Sequence, residues 1–300
     1  MVGSFFRAGL RFPPLRAFDS AGGLVVGGAA GLALVWVFGA AALLLPGQRS
    51  LRQSVQRSEV LRRLNSIVPP ERLLNALARV DPFPSIAGPA IPTETPNGAS
   101  LDTHEVHVAT ASVVRVIGTA CGLGITGSGW VAAPGVVVTA AHVVAGEKNT
   151  SVLLSHGNRR FAAHAIAFDS KNDVAVLRVP NLPSRPLPTT APVEGATVAI
   201  VGYPLNGPLD IEAGTAGRTA TILTDNAYGH GPVSRTVTSL GGKVRHGNSG
   251  GPAIDAQGRV QMTVFAARVS GGGGYGIPTS IVRKVLATAH EPISTGACAP

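Results

Sequence analysis

Three short segments hold residues whose types and order can break a peptide bond. Val138-Thr139-Ala140-Ala141-His142-Val143-Val144 presents a histidine just past a β-branched run. Asn172-Asp173-Val174-Ala175-Val176-Leu177 places an acid at the mouth of an apolar run. Gly247-Asn248-Ser249-Gly250-Gly251-Pro252 holds one serine among glycines. A serine hydroxyl is a weak nucleophile at neutral pH: it needs a base to take its proton, and the base needs a third group to hold it in one tautomer. His142 suits the base, Asp173 the orienting acid and Ser249 the nucleophile. The glycines beside Ser249 let the backbone bend so that two N–H groups face a developing oxyanion, and Gly247 and Ser249 are the expected donors. Loss of one such donor costs about 3 kcal/mol of transition-state stabilisation. An acid before an apolar run is often only a turn residue, and Asp169 competes with Asp173, although no β run follows it directly.

The elements around these segments read as strands. Short β-branched runs between turns recur at Ser112–Ile117, Val136–Thr139, Val174–Val179, Thr197–Val201, Arg235–Ser239 and Val260–Ala266, a spacing that predicts an all-β barrel or sandwich. One helix is expected from Pro278 to His290, with proline in its first turn.

The net charge of +9 is unevenly placed. Residues 1–80 carry ten Lys/Arg and three Asp/Glu, whereas residues 81–300 carry fifteen and thirteen. A nucleic-acid binder concentrates its cations on the folded domain, so that class is excluded. Residues 1–20 form a basic N-terminal segment. No charge occurs from Ser20 to Gln48, and residues 21–46 are long and apolar enough for a transmembrane helix in a lipid bilayer. The length of that run and its Leu43-Leu44-Leu45-Pro46 end favour a retained anchor over a cleaved signal. Residues 47–80 read as amphipathic juxtamembrane helices, with Leu51, Val55, Leu61 and Leu64 near helical spacing. Residues 81–103, with five prolines, read as a Pro-rich linker acting as a semi-rigid tether. Residues 104–300 remain for the catalytic domain.

No cofactor or metal is expected. Cys121 and Cys298 are too few for a zinc site, and His104 and His107 have no further ligand beside them. The two cysteines are either free thiols or one disulfide in an oxidising compartment.

With TAAHVV, NDVAVLRV and GNSGGP in the order His, Asp, Ser, residues 110–290 resemble the trypsin-like, chymotrypsin-fold serine peptidases of the bacterial envelope. The resemblance implies two six-stranded antiparallel β-barrels with a C-terminal helix, preceded here by one transmembrane helix and a stalk. It also implies substrate-binding roles. Tyr275 and Gly276 belong to a run similar to the strand that walls the primary specificity pocket. Val264 and Ala266 lie in the strand that pairs with substrate backbone, and Lys243 falls near the pocket base. The whole chain is similar to the actinobacterial acid-resistance periplasmic membrane serine proteases, with a truncated colicin V production-like membrane region: Leu15–Gly23 resembles the entry to that region's last span. That family implies a Cys121–Cys298 disulfide, protein substrates in the cell envelope and a setting of acid and oxidative stress. The positive-inside count alone points the C-terminal side to the cytoplasm; the implied disulfide requires the opposite, extracytoplasmic side. The competing readings are an HtrA-type quality-control protease lacking a PDZ domain, suggested by Gly274–Pro278 and the following Ser280-Ile281-Val282, and a catalytically silent envelope binding module.

Overall fold

The structure is a computed structural model. It describes residues 27–28, 31–32, 79–80, 84–92, 96, 98–120, 123–155, 159–269 and 272–297. The chain divides into two compact units, Met1–Ile67 and Val68–Pro300. In the first, only Gly27, Gly28, Gly31 and Leu32 are described, and they are helical. The expected span over 21–46 and the helices over 47–80 therefore lie almost wholly outside the described residues. No helix among the described residues is long and apolar enough to cross a membrane.

The second unit begins with β1 (Arg79–Val80), β2 (Ser85–Ile86), a short 3-10 turn at Gly98–Leu101 and α1 (His104–Thr110). A first β region follows: β3 (Val113–Ala120), β4 (Leu123–Ala133), β5 (Val136–Thr139), the single helical turn α2 (Ala141–Val144), β6 (Ser151–Leu154), β7 (Arg160–Ala162), β8 (His164–Asp169) and β9 (Val174–Arg178). The second contains β10 (Thr197–Gly202), β11 (Asp210–Thr224), β12 (Val233–Gly242), β13 (Pro252–Ile254), β14 (Val260–Arg268) and β15 (Gly273–Pro278), and ends in α3 (Thr279–Leu286).

The two regions form separate, mainly antiparallel sheets of a chymotrypsin-like fold. In the first, the order is β7-β6-β3-β4-β5-β9-β8. Only Ala163 separates β7 from β8, so they act as one strand bent at that residue. Its first half pairs with β6 and its second with β9. In the second, β13-β10-β11-β12-β15-β14 closes on itself because β13 also pairs with β14. Closure removes the unpaired edges that a flat sheet would expose. β5 and β9 are Val-rich and almost fully buried, as strands filling a barrel should be.

The joint between the sheets is polar as well as apolar. Trp130 of β4 is fully buried and donates its indole N–H to Thr263 Oγ1 on β14 at 3.0 Å. Ser128 donates its hydroxyl to the Gly247 carbonyl at 2.6 Å and accepts the Tyr203 N–H at 2.9 Å. α3 follows Pro278, buries Val282 and Val285, and exposes Arg283 and Lys284 near its C-terminus, where cations suit the helix dipole. It ends at Leu286, four residues short of the expected His290.

The proline-rich stretch departs from the tether expectation. β1 pairs in parallel with Gly124–Ile125 of β4, and β2 in parallel with Ala267–Arg268 of β14. Between β2 and Pro92 the chain lies across the second sheet: Ile86 and Ile91 are buried, and Tyr275 donates its hydroxyl to the Pro89 carbonyl at 3.3 Å. Prolines make a segment stiff, but they do not decide whether it hangs free. Here two isoleucines dock it, and its backbone pairs with one end of β4 and one end of β14. Arg79–Val80, expected at the end of a helix, is extended for the same reason.

Candidate active site

Each of the three chemistry-bearing residues stands at a break in the β pattern. His142 lies in α2, the turn that follows β5. Asp173 closes the turn between β8 and β9 with φ +60°, a left-handed conformation unusual for a residue with a Cβ. Ser249 lies in the turn between β12 and β13, flanked by Gly247 at φ +92° and Gly250 at φ +80°. These two glycines are required. A Cβ at Gly247 would run into the Tyr203 carbonyl, and one at Gly250 into the Ser128 carbonyl and the Thr139 hydroxyl.

The turns bring the three side chains into one hydrogen-bonded line. His142 Nδ1 is 2.7 Å from Asp173 Oδ2, and His142 Nε2 is 2.9 Å from Ser249 Oγ. An ionised carboxylate only accepts, so Nδ1–H donates to Asp173, and Nε2 is left to accept the serine proton. The backbone N–H of His142 also donates to Asp173 Oδ1 at 2.8 Å. All three residues are buried. Burial alone would push the Asp173 carboxyl up; the charge and hydrogen bonds of His142 and the nearby Arg235 outweigh it and hold the carboxyl below its ordinary value. Asp169, the competing acid, instead accepts from the Asn172 backbone and side chain at 2.9 and 2.6 Å, as a turn residue does.

Sequence reasoning passed over two residues here. Ser128 joins the turn carrying Ser249 to β10, and its own N–H donates to the Ser249 carbonyl at 2.7 Å. Arg235 of β12 is buried beside Asp173, 3.6 Å from Oδ2. Neither has a local signal: a serine in a Gly-Ser-Gly run and an arginine in a Thr-rich strand read as surface residues.

Of the five residues expected to bind substrate, four are cross-strand neighbours, Val264 opposite Gly276 and Ala266 opposite Tyr275, and Lys243 stands apart. Val264 is buried, and both its backbone groups are taken: its N–H donates to the Gly251 carbonyl at 2.8 Å, and its carbonyl accepts the Gly250 N–H at 2.7 Å. It braces the turn that carries Ser249, and both its backbone groups are engaged there. Beyond it, the N–H groups of Ala267 and Val269 donate to the Pro84 and Ile86 carbonyls at 3.0 and 3.2 Å. A peptide extending along β14 past Ala266 must displace that segment. Gly276 is buried under the Met262 side chain, and Val244 packs against Gly274. Tyr275, also buried, faces Gly88 and Pro89. Lys243 is 64% exposed with its ammonium 3.9 Å from Glu212, so it reaches outward to an acid on β11. Cys121 and Cys298 lie outside the described residues. His107 pairs with Asp102 at 2.7 Å in the open, and no cluster of three potential metal ligands occurs among the described residues.

One protein family and several known proteins are similar to this chain. The family described as "Trypsin-like peptidase domain" matches residues 127–261. The serine protease Rv3671c of Mycobacterium tuberculosis is 33% identical over 315 aligned residues, covering 99% of this chain and 79% of the relative. The crystal structure of the active form of that protease superposes with a TM-score of 0.67 at 34% identity, covering 72% of this chain and 98% of the other. The mitochondrial serine protease HTRA2 of Bos taurus is 33% identical over 165 residues, covering 53% of this chain and 35% of its own length.

Proposed function

Because this chain belongs to the trypsin-like serine proteases and is a hydrolase acting on proteins, we propose that it cleaves peptide bonds through His142, Asp173 and Ser249. Ser249 Oγ attacks the scissile carbonyl as His142 Nε2 takes its proton. Asp173 holds the imidazole in the Nδ1–H tautomer and stabilises the imidazolium. The proton then passes to the leaving amine, and the acyl-enzyme is hydrolysed by water activated at the same nitrogen. The N–H groups of Gly247 and Ser249 receive the oxyanion; the Ser249 amide donates to no acceptor among the described residues. The observation that carries this reading is the unbroken line from Asp173 through His142 to Ser249.

The wider setting is part of the proposal. Residues 21–46 anchor the chain in a bilayer, the protease unit lies on the extracytoplasmic side, and its substrates are cell-envelope proteins under acid or oxidative stress. Cys121 and Cys298 form a disulfide. Two hydrogen-bonded contacts support that pairing: Ala120 forms a β-bridge with Glu147, and the neighbouring Gly146 N–H donates to the Thr295 carbonyl at 3.1 Å. The residues just before each cysteine thus meet the same turn.

The test is Ser249→Ala. Proteolysis should fall by about six orders of magnitude, with a thermal midpoint within a few degrees of the parent. Undiminished cleavage by that variant would end the assignment.

A further inference from the structure

Arg235 is a buried charged residue beside Asp173 that the three-residue mechanism leaves without a role. Its guanidinium, 1% exposed, sits on β12 in the second sheet. Burial of such a group is tolerated where its donors meet acceptors. Nε donates to the Lys171 carbonyl at 2.8 Å, and Nη2 donates to the Asp225 carbonyl at 2.9 Å. Nη1 stands 3.6 Å from Asp173 Oδ2, and the group lies over the Phe265 ring, 4.9 Å from its centroid. The side chain therefore reaches from one sheet into the β8–β9 turn of the other and holds that turn at two places. A second tie joins the same turn to the β11–β12 connection, where the Ala227 N–H donates to the Ser170 carbonyl at 2.8 Å. Asp173 keeps its left-handed backbone inside this clamp, as residues in such conformations do where the surroundings over-determine them.

We propose that Arg235 is a positioning residue for peptide hydrolysis: it fixes the Asp173 carboxylate against His142 and, as a second cation facing the pair, opposes protonation of the base and extends activity to lower pH. The proposal rests on the triad reading above. The groups that face Asp173 are His142 from α2 and Arg235 from β12, and the uncharged Phe265 ring of β14 lies against the guanidinium; Ser249 adds a neutral hydroxyl on the far side of the imidazole. Asp169 of β8 and Asp225 of the β11–β12 connection act on Arg235 in turn. Burial draws the guanidinium below its ordinary value, and Asp173, Asp169 and Asp225 draw it back. The sign follows from charge: an imidazolium that shares the Asp173 carboxylate with a fixed guanidinium is stabilised less than one that has it alone, so the unprotonated base persists into more acid solution.

The experiment uses the full chain and a fluorophosphonate probe, which phosphonylates the nucleophile with loss of fluoride and needs no knowledge of the natural substrate. The second-order labelling rate is followed against pH in the parent, Arg235→Met and Arg235→Lys. In the methionine variant the acid limb should move up by about one pH unit and the plateau rate fall about tenfold or more. The lysine variant should keep the acid limb in place and recover part of the plateau. An acid limb that stays put in Arg235→Met overturns the proposal, because a merely structural role lowers the rate without moving the limb. If the methionine variant does not melt cooperatively, Arg235→Lys decides. A single ammonium cannot reproduce the fork on Lys171 and Asp225, so a plateau equal to the parent overturns the positioning role, and a reduced plateau with the acid limb in place supports it. Ser249→Ala in each background separates the two readings: labelling that survives it sinks the triad itself, whatever Arg235 does.

Discussion

In the proposed mechanism Ser249, His142 and Asp173 divide one task by environment. The serine is held by a turn that only glycines can make, the histidine by a backbone N–H and a ring N–H donated to the same carboxylate, and the acid by a guanidinium from the opposite sheet. A half-buried acid shows what enclosure of the carboxyl does with a hydroxyl in place of a cation. Glu147 packs where a Cβ on Gly118 would otherwise sit, and it accepts the Thr150 hydroxyl at 2.6 Å. Burial pushes its carboxyl up to about 8 from 4.5, with the Thr150 hydrogen bond opposing. The folded chain then holds a proton that the unfolded chain releases above 4.5, so this group's contribution to stability is largest at acid pH. It is lost progressively as pH rises from about 4.5 through about 8. Glu147→Gln should flatten that slope and raise stability at pH 8 by about 1–3 kcal/mol. Urea titrations at pH 5 and pH 8 measure it; an unchanged pH dependence refutes the assignment.

At the scale of elements, the stretch from β2 to Pro92 has two effects at once. It buries Ile86 and Ile91, and it occupies the N–H groups of Ala267 and Val269 at the end of β14. These are backbone donors that a peptide lying along β14 would use, so docking of the segment and binding of a long peptide compete. Replacing Ile86 and Ile91 together with Ser removes about 3–6 kcal/mol of apolar burial from the docked state. Peptides extended on the N-terminal side of the scissile bond should then gain several-fold in kcat/KM, while short amide substrates stay unchanged. Equal effects on both lengths would show that the segment does not compete there.

For the molecule as a whole, the fold places the turns that carry residues 142, 173 and 249 at the joint between two sheets, so anything that ties distant parts of the protease unit together supports the proposed site. The proposed Cys121–Cys298 bond closes nearly the whole unit. In the chain-entropy account, a loop that long contributes about 5 kcal/mol. Reduction should lower the thermal midpoint by roughly 10–20 °C. Melting curves with and without a reductant decide it, and coincident curves would remove the bond.

Much of the site was legible in the amino-acid order because its chemistry is written locally. A Gly-Asn-Ser-Gly-Gly turn encodes its own positive φ angles, a Val-rich run encodes a buried strand, and Pro278 encodes the start of a helix. Each depends on a few adjacent residues. What lay beyond it was decided by contacts between residues far apart in the chain. The convergence of residues 142, 173 and 249, the buried placement of Arg235, the commitment of Val264 to the nucleophile turn and the docking of the proline-rich stretch all depend on which surfaces meet. A guanidinium on a strand is exposed or buried according to what packs over it, and an isoleucine among prolines docks only if an apolar face lies within reach. Those facts reside in the packed barrels, where desolvation and hydrogen-bond satisfaction are settled collectively.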